Sequence, residues 1–519
     1  MSNTKRSDPI QCPLVTTTVL KCGTCYYCRD ASSFPTNFAL YVDPLNGSDT
    51  ENLGQTSNQP LATLEKAIEE LGRYHWKGTA TIWISGALTL SGTNITLPAP
   101  AAGLPRKIVV RGLNPTSSTV TITTATGLGA WNPGTTLTVN RYPQAIISGT
   151  HTPNTYTNYA FTQTSATGHE YFDVVYSNTS NTLNILNPNI AVGTATLSIA
   201  VDQLSFPAAT SNDYLDIITN GNTLVFRDLI ISTAGLTIGS SPDSSEYISY
   251  ERCRFLMTAG VYTGLIHGRI HMAGCYSSVP GGVAELLARD ATNQLRMEYC
   301  WLTDTIVEIT GNVVGRRQDP RTVRFDSSIF SGSAQHYVNM HDVSVFGGEL
   351  WTTVGASPVQ HSECSACKIL QCSFDTPGIP AFAVLDIFDN SFCSVVECEF
   401  TGDVSNGIAV HGGSQLLLEE GNTPSLFNDT TLLASAILTY DNGDLVMSSS
   451  SATSVSGAVF TEALLINTGG RVRVNTSNFG GAANITYNPD AAGTTNVGAN
   501  PFWPPLYPPT TSVTLMSHA

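Results

Sequence analysis

The stretch Ile248-Ser249-Tyr250-Glu251-Arg252-Cys253-Arg254-Phe255 decides how the chain is read. Its pattern is apolar, any, apolar, two unconstrained residues, a small residue, any, apolar. The phrase occurs before it as Leu224-x-Phe226-x-x-Leu229-x-Ile231, and after it as Ile270-x-Met272-x-x-Cys275 and Leu295-x-Met297-x-x-Cys300-x-Leu302. It continues as Val323-x-Phe325-x-x-Ser328-x-Phe330, Cys367-x-Ile369-x-x-Cys372-x-Phe374 and Cys393-x-Val395-x-x-Cys398-x-Phe400, with a late copy at Val472-x-Val474-x-x-Ser477-x-Phe479. From 229 to 398 the sixth position recurs at steps of 24, 22, 25, 28, 44 and 26 residues. The step of 44 is either two short turns or one turn with a long loop.

The first two apolar positions are two apart and share one face of a strand; so do the sixth and eighth. The step of three between the pairs breaks the parity, and a straight strand would turn the second pair outward. A corner at that point sends both pairs inward. Two short strands and a corner in each turn of the chain predict an all-β fold, a right-handed parallel β-helix or solenoid. Helical solenoids need 3.6-periodic segments of ten or more residues, which this stretch lacks.

Composition agrees with strands and turns. Charged residues make up 12% and hydrophobic residues 41% of 519, too apolar for a disordered chain. The net charge of −16, without a Lys/Arg-rich run, argues against nucleic acid as a partner. No apolar run is long enough to span a membrane. The segment Met1–Asp8 carries no apolar core of a signal peptide, so the expectation is retention in the producing cell or assembly on a virus particle.

The opening residues 1–37 form a cysteine-rich arm with Cys12, Cys22, Cys25 and Cys28. Structural zinc, disulfides within or between chains, and free thiols are the open readings, and each makes the arm an attachment segment. Residues 38–115 are read as a cap helix and first coils. Pro60 precedes Leu61, Leu64, Ala67, Ile68 and Leu71 on one helix face closed by Gly72, and such a helix would cover the open end of a strand stack. The set Tyr41-Val42-Asp43, Gly47-Ser48-Asp49 and Pro60-Leu61-Ala62-Thr63-Leu64-x-x-Ala67-Ile68 resembles the start of many pectin-lyase-like right-handed β-helix proteins. Polysaccharide lyases, phage tailspikes and surface or fibre proteins of large DNA viruses belong to that group. The resemblance implies the fold, frequent homotrimers and carbohydrate partners; no catalytic motif of the group matches residue by residue.

Residues 116–222 lack the phrase and read as a β-rich insertion or irregular coils. Their clustered Tyr156, Tyr159, Phe161, Tyr171, Phe172 and Tyr176 suit a local core or a sugar-stacking surface. The parallel β-helix is expected to run over 223–481. A Pro/aromatic tail, 482–519, holds Phe502, Trp503 and Tyr507 among prolines and suits packing along a neighbouring chain or the flank.

The phrase also reports what faces outward. Four residues before each sixth position stand Val225, Ser249, His271, Arg296, Arg324, Lys368 and Ser394; two before it stand Arg227, Glu251, Ala273, Glu298, Asp326, Leu370 and Val396. With coils stacked about 4.8 Å apart, Arg296 and Glu298 should lie beside Arg324 and Asp326. A carboxylate pair at that separation meets the demand of retaining glycoside hydrolysis, and arginines beside acids suit lyase chemistry. The alternative is a surface salt-bridge ladder. Glu298, Asp326, Arg296 and Arg324 are therefore the candidate catalytic residues; Arg316, Arg317 and Arg321, with Asp319 among them, and His271 are candidates for substrate binding. The stacked inward cysteines have parallel Cβ directions, poor for bridging, and are expected to be reduced apolar filler. His336, His341, His361 and Glu363 lack ligand spacing, so neither metal nor cofactor is expected there.

The function expected is that of a fibre- or spike-like surface protein of a virus particle, oligomeric, contacting other virion proteins and glycans. The alternative is a polysaccharide lyase or glycoside hydrolase acting on a cell-surface polysaccharide.

Overall fold

The structure, a computed structural model, describes most of residues 37–302 and 367–447, the backbone of strands elsewhere as far as residue 497, and a two-strand hairpin at 21–26. Almost every described element is a strand, and one is a helix. No described helix is long and apolar enough to cross a membrane.

Among the described residues, fourteen strands pair in parallel in one sheet, starting with Asn37–Val42, Thr79–Ile84, Lys107–Gly112, Thr223–Arg227 and Tyr247–Glu251 and ending with Arg471–Val474. The phrase sets their register. Phe226 pairs with Tyr250, Tyr250 with Met272, Met272 with Met297 and Met297 with Phe325. Phe226, Tyr250, Met272 and Met297 are buried in one core cluster, and the Phe226 and Tyr250 rings stack at 5.2 Å. Like lies over like because each repeat offers the same strand at the same offset.

The corner has a definite backbone. Asp228, Arg252, Gly274 and Tyr299, each just before a sixth position, have φ of 55°, 55°, 59° and 53°. One left-handed residue turns the chain between the two inward pairs, at a cost of roughly 1–2 kcal/mol where the residue is not glycine. The ladder of hydrogen bonds continues around it: Arg252 N donates to Ala273 O at 2.9 Å and Tyr276 N to Cys253 O at 3.0 Å. Cys253, Cys275 and Cys300 then stand on successive repeats, 2% exposed or less. They are thiols, as are Cys367, Cys372, Cys393 and Cys398, and the Sγ of Cys275 donates to Tyr250 O at 3.3 Å. Burial pushes the Cys253 thiol far up.

Each repeat has a third strand that the phrase does not signal. After the corner, strands such as Arg254–Met257 and Tyr262–Ile266 both join a second sheet, of twenty-five strands. A second corner then returns the chain to the first sheet through two left-handed residues in succession: Asn220-Gly221, Asp389-Asn390, Gly412-Gly413 and Asp441-Asn442. Asn, Asp and Gly tolerate that conformation best, and the corners are written in them. The step of 44 residues contains two repeats, since Asp342–Phe346 is a strand of the first sheet between Thr322–Asp326 and Cys367–Leu370.

The helix, Leu64–Arg73, follows the edge strand Asn37–Val42. Thr63 caps it: its Oγ1 accepts from Lys66 N at 3.2 Å while Asp49 accepts from Thr63 Oγ1 at 2.7 Å. Leu64, Ala67, Ile68 and Leu71 enter the same core cluster as Leu40, Val42 and Ile82. The helix runs one residue past Gly72.

Between Thr116 and Ile199 the chain builds a separate seven-stranded antiparallel sheet. It has its own core around Val120, Ile122, Phe161, Leu183 and Leu197. The two ends of this excursion are tied: the buried Asp202 carboxylate accepts from Asn114 N and from Gly86 N, both at 2.7 Å. The strands Lys107–Gly112 and Thr223–Arg227, on either side of the excursion, are direct neighbours in the first sheet. Within the arm, Cys22 and Cys25 face each other in the register of the short hairpin. Cys12, Cys28 and the tail from 498 onward lie outside the described residues.

Candidate functional site

The outer face of the first sheet carries the residues at the second, fourth and sixth places before each corner position. Parallel pairing sets Ser249 beside His271 and His271 beside Arg296. Neighbouring strands lie about 4.8 Å apart, so side chains in one column are in reach of each other. Ser249 Oγ lies 3.3 Å from His271 Nδ1, and His271 Nε2 donates to Glu298 Oε2 at 2.8 Å. Arg296 pairs with the other oxygen of Glu298. The partner of Glu298 on the preceding strand is Ala273, which leaves the carboxylate open to the leaning imidazole.

Exposure differs along this row. Ser249 is 1% exposed, while the side chains of His271 and Glu298 are 20% and 19% exposed and that of Arg296 is 49%. Burial would raise the Glu298 carboxyl, but the hydrogen bond from His271, the His271 charge and Arg296 together outweigh it and hold the group below its ordinary range. Glu298 is thus an ionised acceptor or base at neutral pH, not a proton donor. Burial raises the phenol of Tyr247, whose ring is 6.5 Å from that of His271. The order Ser, His, Glu has the look of a nucleophile relay, but a serine so buried holds the imidazole in place and is out of a substrate's reach.

Two predicted residues enter this row by backbone register. Glu298 pairs with Asp326 and Arg296 with Arg324 on the next strand. Arg316, Arg317, Asp319 and Arg321 lie outside the described residues. Among the described residues no group of three or more His, Cys, Asp or Glu could hold a metal ion.

The insertion supplies a wall that the repeat does not announce. Its edge strand, Glu170–Val174, stands beside the corner. Phe172 carries the guanidinium groups of Arg227 and Arg252 at 5.4 and 5.1 Å, and Glu170 pairs with Arg227 at 3.3 Å. Arg252 Nε and Nη2 each donate to the Asp228 carboxylate at 2.7 Å, and its Nη1 reaches Thr162 Oγ1 at 2.6 Å. Arg111 Nε also donates to Asp228, at 2.8 Å. Asp228 and Arg252 are 2% and 7% exposed, so this is a desolvated bidentate pair at the base of the wall. The clustered aromatics divide accordingly: Phe161 is fully buried in the insertion, Tyr156 and Tyr159 pack on it, and Phe172 and Tyr176 face the repeats. The sequence gives no local signal for these contacts, which join residues 24 to 125 positions apart.

A second His–carboxylate contact, His411 Nε2 to Asp386 Oδ1 at 3.0 Å, lies between stacked rings. Phe388 and Tyr440 cover the two faces of His411 at 5.5 and 4.5 Å. Burial, then Asp386 and Asp441, push the Tyr440 phenol up to about 12. With both faces covered, the ring is a rung of the stack and has no face left for a ligand.

No family model matches the chain, and no curated protein does. Among solved structures it is similar to the tailspike gp61 of Pseudomonas phage phi297, with a TM-score of 0.30 and 10% identity over 78% of this chain and 71% of that one. It is similar to the GH136 lacto-N-biosidase of Eubacterium ramulus, with a TM-score of 0.33 and 9% identity over 81% and 68%. The gp54 tailspike of Acinetobacter baumannii bacteriophage AP22, solved in complex with a capsular saccharide, gives 0.25 and 7% over 76% and 72%. Likenesses of this size say nothing of this chain's activity.

Proposed function

We propose that the stacked repeats form a right-handed parallel β-helix of the pectin-lyase-like kind, capped by the helix Leu64–Arg73, with 1–37 as an attachment arm and 482–519 as a docking tail. On this reading the protein is a fibre- or spike-like surface component of a virus particle, assembled as a homotrimer, that meets glycans along the outer face of the first sheet. The observation that carries the glycan reading is the partly exposed row His271, Glu298 and Arg296. An imidazole, a carboxylate and a guanidinium side by side offer donors and acceptors to sugar hydroxyls and a cation to a uronic carboxylate. Binding to a panel of acidic and neutral polysaccharides, measured for the wild type and for Arg296→Ala, tests it; equal binding by both proteins would remove the site. Detection of the chain in purified particles, and a trimer mass by light scattering, test the assembly.

A second reading, a polysaccharide lyase or glycoside hydrolase, is favoured by the register pairing of Glu298 with Asp326. Adjacent strands put such carboxyl groups near the separation of about 5–5.5 Å that a retaining mechanism uses. Glu298, held ionised, would be the base or nucleophile, and Asp326 the acid. Release of new chain ends that disappears in Glu298→Gln would establish this reading; binding without product would leave the first.

A further inference from the structure

In the row His271, Glu298 and Arg296, the two ring nitrogens of His271 have partners of different kinds. Nε2 meets the Glu298 carboxylate at 2.8 Å, which, ionised, can only accept; Nδ1 meets Ser249 Oγ at 3.3 Å, which can donate or accept. Ser249 is 1% exposed, and the phenol of Tyr247 bonds to it from the same strand. A neutral ring, with its proton on Nε2, takes a hydrogen bond from the serine; a charged ring gives one to it. The imidazole can therefore gain or lose a proton with both contacts kept. What changes is the charge of the row and not its shape.

The neighbouring charges set the consequence. On the following strand Glu298 is held ionised and Arg296 pairs with it, so with a neutral His271 the three side chains carry no net charge. A charged His271 makes the row positive, and Glu298 is then shared by two cations. Arg296, 49% exposed, is less fully neutralised and freer to meet an anion from solution. On the preceding strand Glu251 is already taken up by Arg227, and Tyr247 is a phenol raised by burial, so neither cancels the added charge. Arg269 stands two residues before His271 on its own strand. Register sets Arg324 and Asp326 beside Arg296 and Glu298 on the next strand, a further pair of opposite sign.

We propose that the row selects anionic saccharide units, carboxylated or sulfated, and that their binding strengthens as His271 takes up a proton. This rests on the reading of the row as a glycan site and adds to it a ligand charge and a pH response. One more unit charge about 5 Å from a bound anion, at a surface open to water, changes affinity about four- to tenfold. The change falls between about pH 8 and pH 5, the range in which imidazoles titrate.

Binding of the full chain to dextran sulfate, to polygalacturonate and to neutral dextran is measured by calorimetry near pH 5, 6.5 and 8, in about 0.15 M salt to screen distant charges. The wild type should bind both polyanions about four- to tenfold more tightly at the lowest pH than at the highest. Binding near pH 6.5 should also take up protons, read from runs in two buffers of different ionisation heat, since proton and ligand each favour the other. His271→Gln, which keeps a hydrogen-bonding side chain without a charge, should lose the pH response and the proton uptake. Arg296→Ala should lose the binding. An equal pH response in wild type and His271→Gln, or binding to the wild type without proton uptake, overturns the proposal and leaves the site standing. Binding to neither polyanion, or neutral dextran with the same pH response, overturns it as well. Equal binding by Arg296→Ala removes the site beneath it.

Discussion

The repeats from Thr223 to Leu302 and the insertion from Thr116 to Ile199 are both β-sheet, but they are held by different means. In the repeats every strand meets its own likeness above and below, and the core is one continuous file of side chains. In the insertion each strand meets an unlike partner, antiparallel, around a closed core of its own. The first kind of order passes from repeat to repeat through nearest neighbours. The second is complete in itself and must be fastened to the rest. The fastening is polar and aromatic: Arg252, held by Asp228, reaches Thr162, Arg227 pairs with Glu170, Phe172 lies across the two guanidinium groups, and Tyr176 meets Trp301.

The heaviest blow to this picture should come from Asp228→Ala. It strands the guanidinium groups of Arg252 and Arg111, and loss of one partner of a buried pair costs about 3–5 kcal/mol. Chemical denaturation measures it; a loss under about 1 kcal/mol would mean that the seam is solvated and that the insertion is held otherwise. Next comes Leu197→Ala in the insertion core, fully buried in the wild type, at about 2–5 kcal/mol. Its effect should be confined: amide exchange should quicken over 116–199 and stay slow over 223–302. Spread of the effect into the repeats would erase the distinction between the two regions.

A smaller effect is expected of Gly274→Ala. The glycine sits at φ 59°, and an added Cβ would meet the backbone O and N of Asp173 at 3.0 and 3.1 Å. Left-handed backbone alone costs about 1–2 kcal/mol there, and the contact should loosen the seam, read as faster exchange at Asp173 and its neighbours. The Glu298 carboxyl gives a pH test. Its folded pKa is lowered, so its contribution is present above the unfolded value and is lost as pH falls through the folded one. The melting temperatures of the wild type and Glu298→Gln should differ at neutral pH and converge below about pH 4. A gap that persists in acid would remove the charge from the explanation. The least change of all is expected of the thiols: Cys253, Cys275 and Cys300 should ignore a thiol reagent until the repeats unfold, because all three are buried out of its reach and burial disfavours the thiolate at Cys253 and Cys275.

Much of the strand stack was legible in the sequence because its rule is local. The spacing of Tyr250, Cys253 and Phe255 shows that the chain turns between them, and its recurrence gives the register. The third strand of each repeat was not legible: Tyr262–Ile266 and its counterparts follow loops of varying length and keep no fixed offset from the corner. The candidate row was half legible. The columns put Glu298 beside Asp326 and His271 beside Arg296, but they do not show that Ala273 leaves His271 room to lean onto Glu298. The wall was not legible, since nothing near Phe172 in the chain marks the arginines that it covers.

The sequence alone determined which residues turn inward, where the chain bends and which residues share an outward column, because strand alternation and a one-residue corner act over distances of a few residues. The tertiary structure alone decided that Asp228 and Arg252 pair, that the insertion stands beside the corner, and that Phe172 covers the guanidinium groups of Arg227 and Arg252. These contacts join segments that the chain separates by 24 to 80 residues, and proximity across such a span is set by how the sheets pack, not by what precedes or follows a residue.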